Sequence, residues 1–281
     1  MRQGTIIVTG GSNGIGKAIA LSLTKQGKTV VIVSRDEAKG AAAIDEIKHE
    51  VPKADITCVV GNVSTVASTH ELAETLIEKY PNMTVLINNA GVWQTDKQLN
   101  DDGLETSFMV NHLAPFILTQ RLMFRLQSNA PARIINLSAG TYIKGNVDLE
   151  KTPYGHDFHG AGSYANSKLC NVLFTRQCAK QIEGTGVMIH AVHPGVIRTG
   201  LGDTDGMVGF MLTQVKRFWR TPEEGAVAPV WLATSPEIEK TNGLFFNEKE
   251  VMEFQDQAND EELGKKLWEL SMNLAKFEQY A

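Results

Sequence analysis

Long hydrophobic runs are missing from this 281-residue chain, and none reaches the roughly 18 residues that a membrane span needs. A charged-then-apolar leader is missing as well; the amino terminus enters the apolar segment Thr5-Ile6-Ile7-Val8 at once. Cysteine is scarce and odd in number. Cys58, Cys170 and Cys178 lack metal-ligand spacing, which excludes a disulfide scaffold and leaves buried free thiols in a reducing compartment. Excess basic charge is also lacking. A formal net charge of −5 argues against a broad nucleic-acid or anionic-membrane surface. Repeats and low-complexity tracts are absent from the sequence. The expectation is a cytoplasmic chain with no membrane span and no nucleic-acid partner. Its composition, 42% hydrophobic and 21% charged, is that of an ordinary globular protein with an ample core.

Short apolar runs alternate with longer segments of helical period. Strands are expected at residues 5–8, 29–33, 56–60, 85–87, 133–137, 187–192 and 243–246. They are rich in Val and Ile and nearly unbroken by polar residues, as suits strands buried on both faces of a parallel sheet. Helices are expected over 15–26, 38–50, 65–79, 104–127, 164–183 and 222–234, with Gly27, Gly184 and Gly186 closing two of them. The alternation predicts an α/β fold: a Rossmann-like doubly wound parallel sheet of about seven strands, helices on both faces, in a single domain. That domain spans 1–281. Two irregular segments, 140–162 and 200–221, break the rhythm at the carboxyl ends of strands, where such folds bind ligands. Leu263, Leu267, Leu270, Leu274 and Phe277 mark an amphipathic carboxyl-terminal helix over 260–278.

Between the first strand and first helix stand Gly10, Gly14 and Gly16, in the run IIVTGGSNGIGKAIA. Gly10 can adopt a turn closed to other residues, Gly14 lets the backbone approach a pyrophosphate, and Gly16 lets helix and strand pack closely. The helix amino terminus adds unpaired N–H groups and a positive dipole end. The pattern predicts a dinucleotide site. After the second strand stand Ser34 and Arg35 where an acidic residue would grip a ribose 2′-hydroxyl. A guanidinium suits a 2′-phosphate, and Ser12 can add a hydroxyl. NADP(H) is therefore preferred over NAD(H), although Asp36 follows closely enough to weaken that choice.

Tyr164 and Lys168 lie four residues apart in an expected helix, on one face. Alone, that spacing is common. Taken with the glycine turn at 9–16, NNAG at 88–91, Asn111 in MVNHLAPF, YANSK at 164–168 and HPGVIRT at 193–199, it resembles the short-chain dehydrogenase/reductase family over nearly the whole chain. VNHLAPFILT, the long insertion and VHPG are most similar to the branch holding retinol dehydrogenases and protochlorophyllide reductases.

The resemblance implies roles. Gly10, Ser12, Asn13, Ile15 and Arg35 line the adenosine and pyrophosphate path; Asn62 and Val63 lie beside the adenine. Asn89 lies near the nicotinamide ribose, and Ile197 and Thr199 at the nicotinamide end. Lys168 holds the ribose, Asn111 orders a proton-relay water, and Tyr164 is the acid–base group. A free phenol, pKa near 10, is ionised only to about 1 part in 1,000 at neutral pH, and an adjacent ammonium favours the phenolate. The family also implies a dimer or tetramer.

One departure stands out. The family serine is the second of a Ser-Ser pair, but here Ser138 is followed by Ala139. Ser138, or Thr141 two residues beyond Ala139, is the candidate substitute. His156, Asp157 and His159 read as an exposed loop cluster rather than a metal site, and His193 as structural. Trp93, Phe210, Met211, Phe218 and Trp219 suggest an apolar substrate pocket, the last four in the stretch 207–219 where the family places its substrate lid. The expected activity is NADP(H)-dependent hydride transfer to or from a hydrophobic ketone, aldehyde or alcohol. The alternatives are a non-catalytic dinucleotide-binding redox sensor and a reductase of carbon–carbon double bonds.

Overall fold

The computed structural model describes residues 4–197 and 220–279. Val-, Ile- and Leu-rich segments form strands β1 (Thr5–Thr9), β2 (Val30–Ser34), β3 (Ile56–Val60), β4 (Met83–Asn88), β5 (Ala132–Leu137), β6 (Val187–His193), β7 (Phe245–Asn247) and β8 (Glu250–Met252). They make one sheet in the order β3-β2-β1-β4-β5-β6-β7-β8. Pairing is parallel from β3 through β7, and β7 with β8 is antiparallel. Every residue of β1, β2, β4 and β5 is buried, the signature of strands covered on both faces.

Alternate residues feed two cores. Ile7, Val31, Leu86 and Ile134 face helices α3 (Val66–Lys79), α5 (Ala114–Ser128) and α6 (Gly160–Gln181). Ile6, Val8, Ile32 and Ile87 face α1 (Gly14–Lys25) and, further along the chain, α7 (Pro222–Thr234), while α2 (Glu37–Glu50) adds Ala43 and Ile47 to that layer. A short α4 (Thr106–Phe108) leads through a π turn, Met109–Leu113, into α5. The last helix, α8 (Glu261–Leu274), lies outside α6. Side-chain caps set several helix starts: Asn13 accepts from Gly14 N, Asp36 from Lys39 N, and Thr65 and Thr221 form capping boxes.

Several boundaries differ from expectation. The sheet gains an eighth strand, because Asn247 and Glu250 pair across the Glu248–Lys249 reversal. β8 is exposed at all three positions, so no apolar period announces it. The helix expected at 164 starts at Gly160, its first turn holding Gly160 and Gly162, residues of low helix propensity. The long helix expected over 104–127 is divided by the π turn. The carboxyl-terminal helix ends at Leu274, and a 3₁₀ turn follows over Phe277–Gln279.

The order of strands reverses direction between β1 and β4. The connections leaving β1 and β4 run to opposite faces of the sheet, the place at which folds of this kind bind ligands. No described helix is long and apolar enough to cross a membrane.

Candidate active site

At the switch, β1 runs into the glycine turn. Gly10 has φ +63° and Gly14 φ +52°, conformations open to glycine. Gly16 sits so close to the strand end that a Cβ there would meet Gly10 O at 2.2 Å. Asn89, expected near the ribose, has its amide committed here: Nδ2 donates to Thr9 O at 2.8 Å and Gly10 O at 3.2 Å. Thr9 Oγ1 returns the tie by accepting from Asn89 N and Ala90 N, both at 3.0 Å. The ends of β1 and β4 are thereby locked around the turn, and Asn89 acts as a positioning residue.

The residues expected along the adenosine path meet at the ends of β1, β2 and β3. Ser34 Oγ stands 3.0 Å from Ser12 Oγ and donates to Asp36 O at 2.8 Å. Gly11 N donates to Val33 O, and Gly61 N to Ser34 O. Arg35 is exposed and forms no ion pair among the described residues. Asp36 has its carboxylate at the head of α2, accepting from Lys39 N at 3.0 Å. Asn62 is exposed and accepts from Ser64 N at 3.0 Å, while Val63 packs on the core. Ile15 and Ile197 come together over α7, where a Cβ on Gly225 would lie 3.4 Å and 2.8 Å from them. Thr199, Phe210, Met211, Phe218 and Trp219 lie outside the described residues, as does most of the irregular segment expected at 200–221.

The catalytic candidates converge on the end of β5. Lys168 is buried and its Nζ donates to Leu137 O at 2.9 Å. The same Nζ lies 5.6 Å from the centre of the Tyr164 ring. Trp93 packs against that phenol, ring centres 5.6 Å apart. Gly91 keeps the floor bare, since a Cβ there would stand 3.2 Å from Asn111 Oδ1 and 3.6 Å from Lys168 Nζ.

Asn111 is fully buried in the π turn, a deviation often found at functional sites. Its Oδ1 accepts from Val92 N at 2.8 Å, and its Nδ2 donates to Val92 O at 2.8 Å and Ser167 Oγ at 2.9 Å. Its carbonyl accepts from Asn171 Nδ2 at 3.1 Å. Asn111 thus holds the segment that carries Trp93.

Electrostatics differ from the sequence expectation. Burial pushes the Tyr164 phenol above its ordinary pKa, and the same effect lowers the Lys168 ammonium to about 8. Desolvation therefore outweighs the Coulomb attraction anticipated between the two, leaving a protonated phenol at neutral pH.

Ser138 is buried and its hydroxyl is committed, donating to Lys168 O at 3.2 Å. Ala139 is buried, and Thr141 is exposed. Asp157 accepts from Thr152 Oγ1 at 2.7 Å, a bond internal to its own loop. The sequence reading missed a polar stripe on α6 at spacing four. Ser167 and Asn171 bond Asn111, and Thr175 accepts from Asn136 Nδ2 at 2.9 Å. Asn88 Nδ2 in turn donates to Asn136 Oδ1 at 2.8 Å, so buried amides bolt β4, β5 and α6 together. The spacing of those three residues within an apolar helix was the available signal.

A parallel sheet with a glycine turn at its switch point, and a Tyr-Lys pair at the carboxyl edge beside it, defines a dinucleotide-dependent oxidoreductase. Comparison agrees. The short chain dehydrogenase family model matches residues 4–206, so the chain belongs to that family and is an NAD(P)-dependent oxidoreductase. It is 34% identical to Homo sapiens retinol dehydrogenase 13 over 281 residues, covering 98% of this chain and 85% of that one. It is 32% identical to Homo sapiens retinol dehydrogenase 14 over 288 residues, covering 96% and 86%. These relatives bear out the retinol dehydrogenase branch. A crystal structure of an uncharacterized protein from Mycobacterium paratuberculosis shares the fold, with TM-score 0.78 and 24% identity over 98% of this chain and 94% of that one. The family implies a nicotinamide dinucleotide, and the glycine turn fits one: its close approach and positive-φ glycines leave main chain where phosphate oxygens bind.

Proposed function

We propose that the chain is an NADP(H)-dependent alcohol dehydrogenase or carbonyl reductase acting on a hydrophobic ketone, aldehyde or alcohol, with Tyr164 as its acid–base group. The observation that carries this reading is the pairing of a protonated, desolvated phenol with Lys168 one helical turn away, at the end of β5. When bound, the reduced nicotinamide supplies the hydride, and its two electrons reduce the carbonyl carbon. Tyr164 gives its phenolic proton to the carbonyl oxygen, so one hydride and one proton convert the carbonyl to an alcohol. The phenolate left behind faces the Lys168 ammonium and regains its proton from solvent. With its pKa near 8, Lys168 is largely charged at pH 7, when that stabilisation is needed. Oxidation of an alcohol runs the steps in reverse and needs the phenolate first.

The NADP(H) preference is supported by Arg35, exposed beside the Ser12 and Ser34 hydroxyls, and by the engagement of Asp36 as a helix cap. An apolar substrate is supported by the Trp93 ring against Tyr164. A second reading, a redox sensor that binds the dinucleotide without turnover, draws on Ala139 and on the committed Ser138 hydroxyl. Purified protein incubated with NADPH and a panel of apolar ketones and aldehydes separates the two. Alcohol products with matching NADPH loss support the reductase. Tight NADPH binding with no product from any carbonyl supports the sensor.

A further inference from the structure

A carbonyl oxygen gathers negative charge as hydride arrives, and a second hydrogen-bond donor beside the acid lowers the barrier. The first residues of the loop leaving β5 offer no such side chain, and the next hydroxyl, Thr141, is exposed to solvent. Ala139 and Gly140 have none, and Ser138 Oγ is spent on Lys168 O. The neighbouring strand does offer one. Leu137 pairs with Val192 across β5 and β6, and Ser138 N donates to Val192 O at 2.8 Å. His193 therefore stands beside Ser138 at the carboxyl edge, with its main chain fixed by pairing to Asn247 and by Glu248 N, which donates to His193 O at 2.8 Å.

The ring lies against Gly140. A Cβ at that position would stand 3.3 Å from His193 Cδ2 and 3.4 Å from Nε2, so the absence of a side chain makes room for the imidazole edge. Nδ1 is enclosed and has no partner among the described residues. Burial holds the ring below its ordinary pKa, with Glu248 and Arg220, paired to each other, as the charges around it. A neutral ring carries one proton. On Nδ1 that N–H would be buried with no acceptor among the described residues, so Nε2 is the less costly place for it. The outcome is a neutral imidazole with Nε2–H at the end of β6, a form known to serve as an electrophile.

We infer that His193 donates the second hydrogen bond to the reacting oxygen, filling from β6 the place that Ala139 leaves without a donor on β5. This rests on the carbonyl-reducing reading above. Four proteins test it: wild type, His193→Leu, Ala139→Ser and the double variant, each assayed for kcat, KM and NADPH affinity. His193→Leu loses about 10²–10³ in kcat, and adding Ala139→Ser restores at least about tenfold of that loss. Ala139→Ser alone leaves kcat within about threefold of wild type, because the donor is already present. A His193→Leu variant with wild-type kcat overturns the inference. So does a rise of about 10² or more from Ala139→Ser alone, a result readable even if His193→Leu fails to fold. A readout independent of turnover comes from ¹⁵N-histidine NMR of the wild-type protein with NADP⁺. The His193 signal reports the Nε2–H tautomer and shifts when trifluoroethanol, an alcohol probe, is added; the Nδ1–H tautomer overturns the inference. Failure of every carbonyl to turn over would instead strike the catalytic reading, leaving the tautomer result to judge His193.

Discussion

Gly16→Ala separates a phosphate cradle from an ordinary helix start by the sign of its effect. In an unencumbered helical position, glycine to alanine stabilises by about 1 kcal/mol. Here the added Cβ would stand 2.2 Å from Gly10 O, 2.5 Å from Asn89 Nδ2 and 2.9 Å from Gly10 C. Unstrained contact lies at roughly 3.5 Å, so the turn must open by about 1 Å. Overpacking of that kind costs about 1–3 kcal/mol. Opening also stretches the Asn89 bonds to Thr9 O and Gly10 O, each worth about 1 kcal/mol. The net expectation is a loss of about 2 kcal/mol, a fall in Tm of about 3 °C. Because the same main chain is the proposed phosphate cradle, NADPH affinity should fall at least about tenfold. Thermal unfolding and NADPH fluorescence titration read the two effects. A variant with higher Tm and unchanged NADPH affinity would show that Gly16 is an ordinary helix residue and that the cradle is misassigned.

On the proposed 2′-phosphate role, Arg35→Ala removes a charge-assisted partner worth about 1.5–3 kcal/mol, so NADPH should weaken by roughly tenfold or more while NADH changes little; equal losses for both cofactors contradict that role. His112 is buried with its pKa pushed down from 6.5 to about 3. The unfolded chain takes up a proton between those values that the folded chain refuses, so the stability tied to His112 is full above pH 6.5 and falls by about 2 kcal/mol at pH 5, beside a similar loss from His190, whose pKa is lowered to about 4. Urea melts at pH 7.5 and 5 should show that drop in wild type and a smaller one in His112→Gln; an identical drop contradicts it. Arg133 is buried at the amino end of β5, where Nη1 donates to Leu232 O at 2.8 Å in the last turn of α7 and Glu239 lies 3.6 Å from Nη2. Arg133→Ala should cost about 3 kcal/mol in unfolding experiments while leaving NADPH affinity unchanged, since the site is at the opposite end of the sheet; a cofactor defect contradicts that separation.

The parallel layers were legible because burial on both faces writes unbroken Val/Ile runs, and the glycine turn because its function dictates residue type. β8 was illegible: Glu250, Val251 and Met252 are all exposed, and a two-residue reversal after Asn247 leaves no hydrophobic signal. Gly160 and Gly162 hid the first turn of α6, because glycine's low helix propensity argues against a helix start there. The identities of Asn89 and Asn111 pointed to the site, yet their hydrogen bonds show clamps on the glycine turn and on Val92 rather than free amides. A sequence lists donors without saying which are already spent, as Ser138 is on Lys168 O. It also lists charges without their burial. The Tyr164–Lys168 spacing suggested Coulomb attraction, while desolvation sets the direction of both pKa values.

Tyr164→Phe keeps the ring that packs on Trp93 and deletes the proton. Measured against NADPH and an apolar ketone, this variant should lose about 10²–10⁴ in kcat with NADPH affinity within about twofold of wild type. A variant that turns over at the wild-type rate would show that the proton comes from elsewhere.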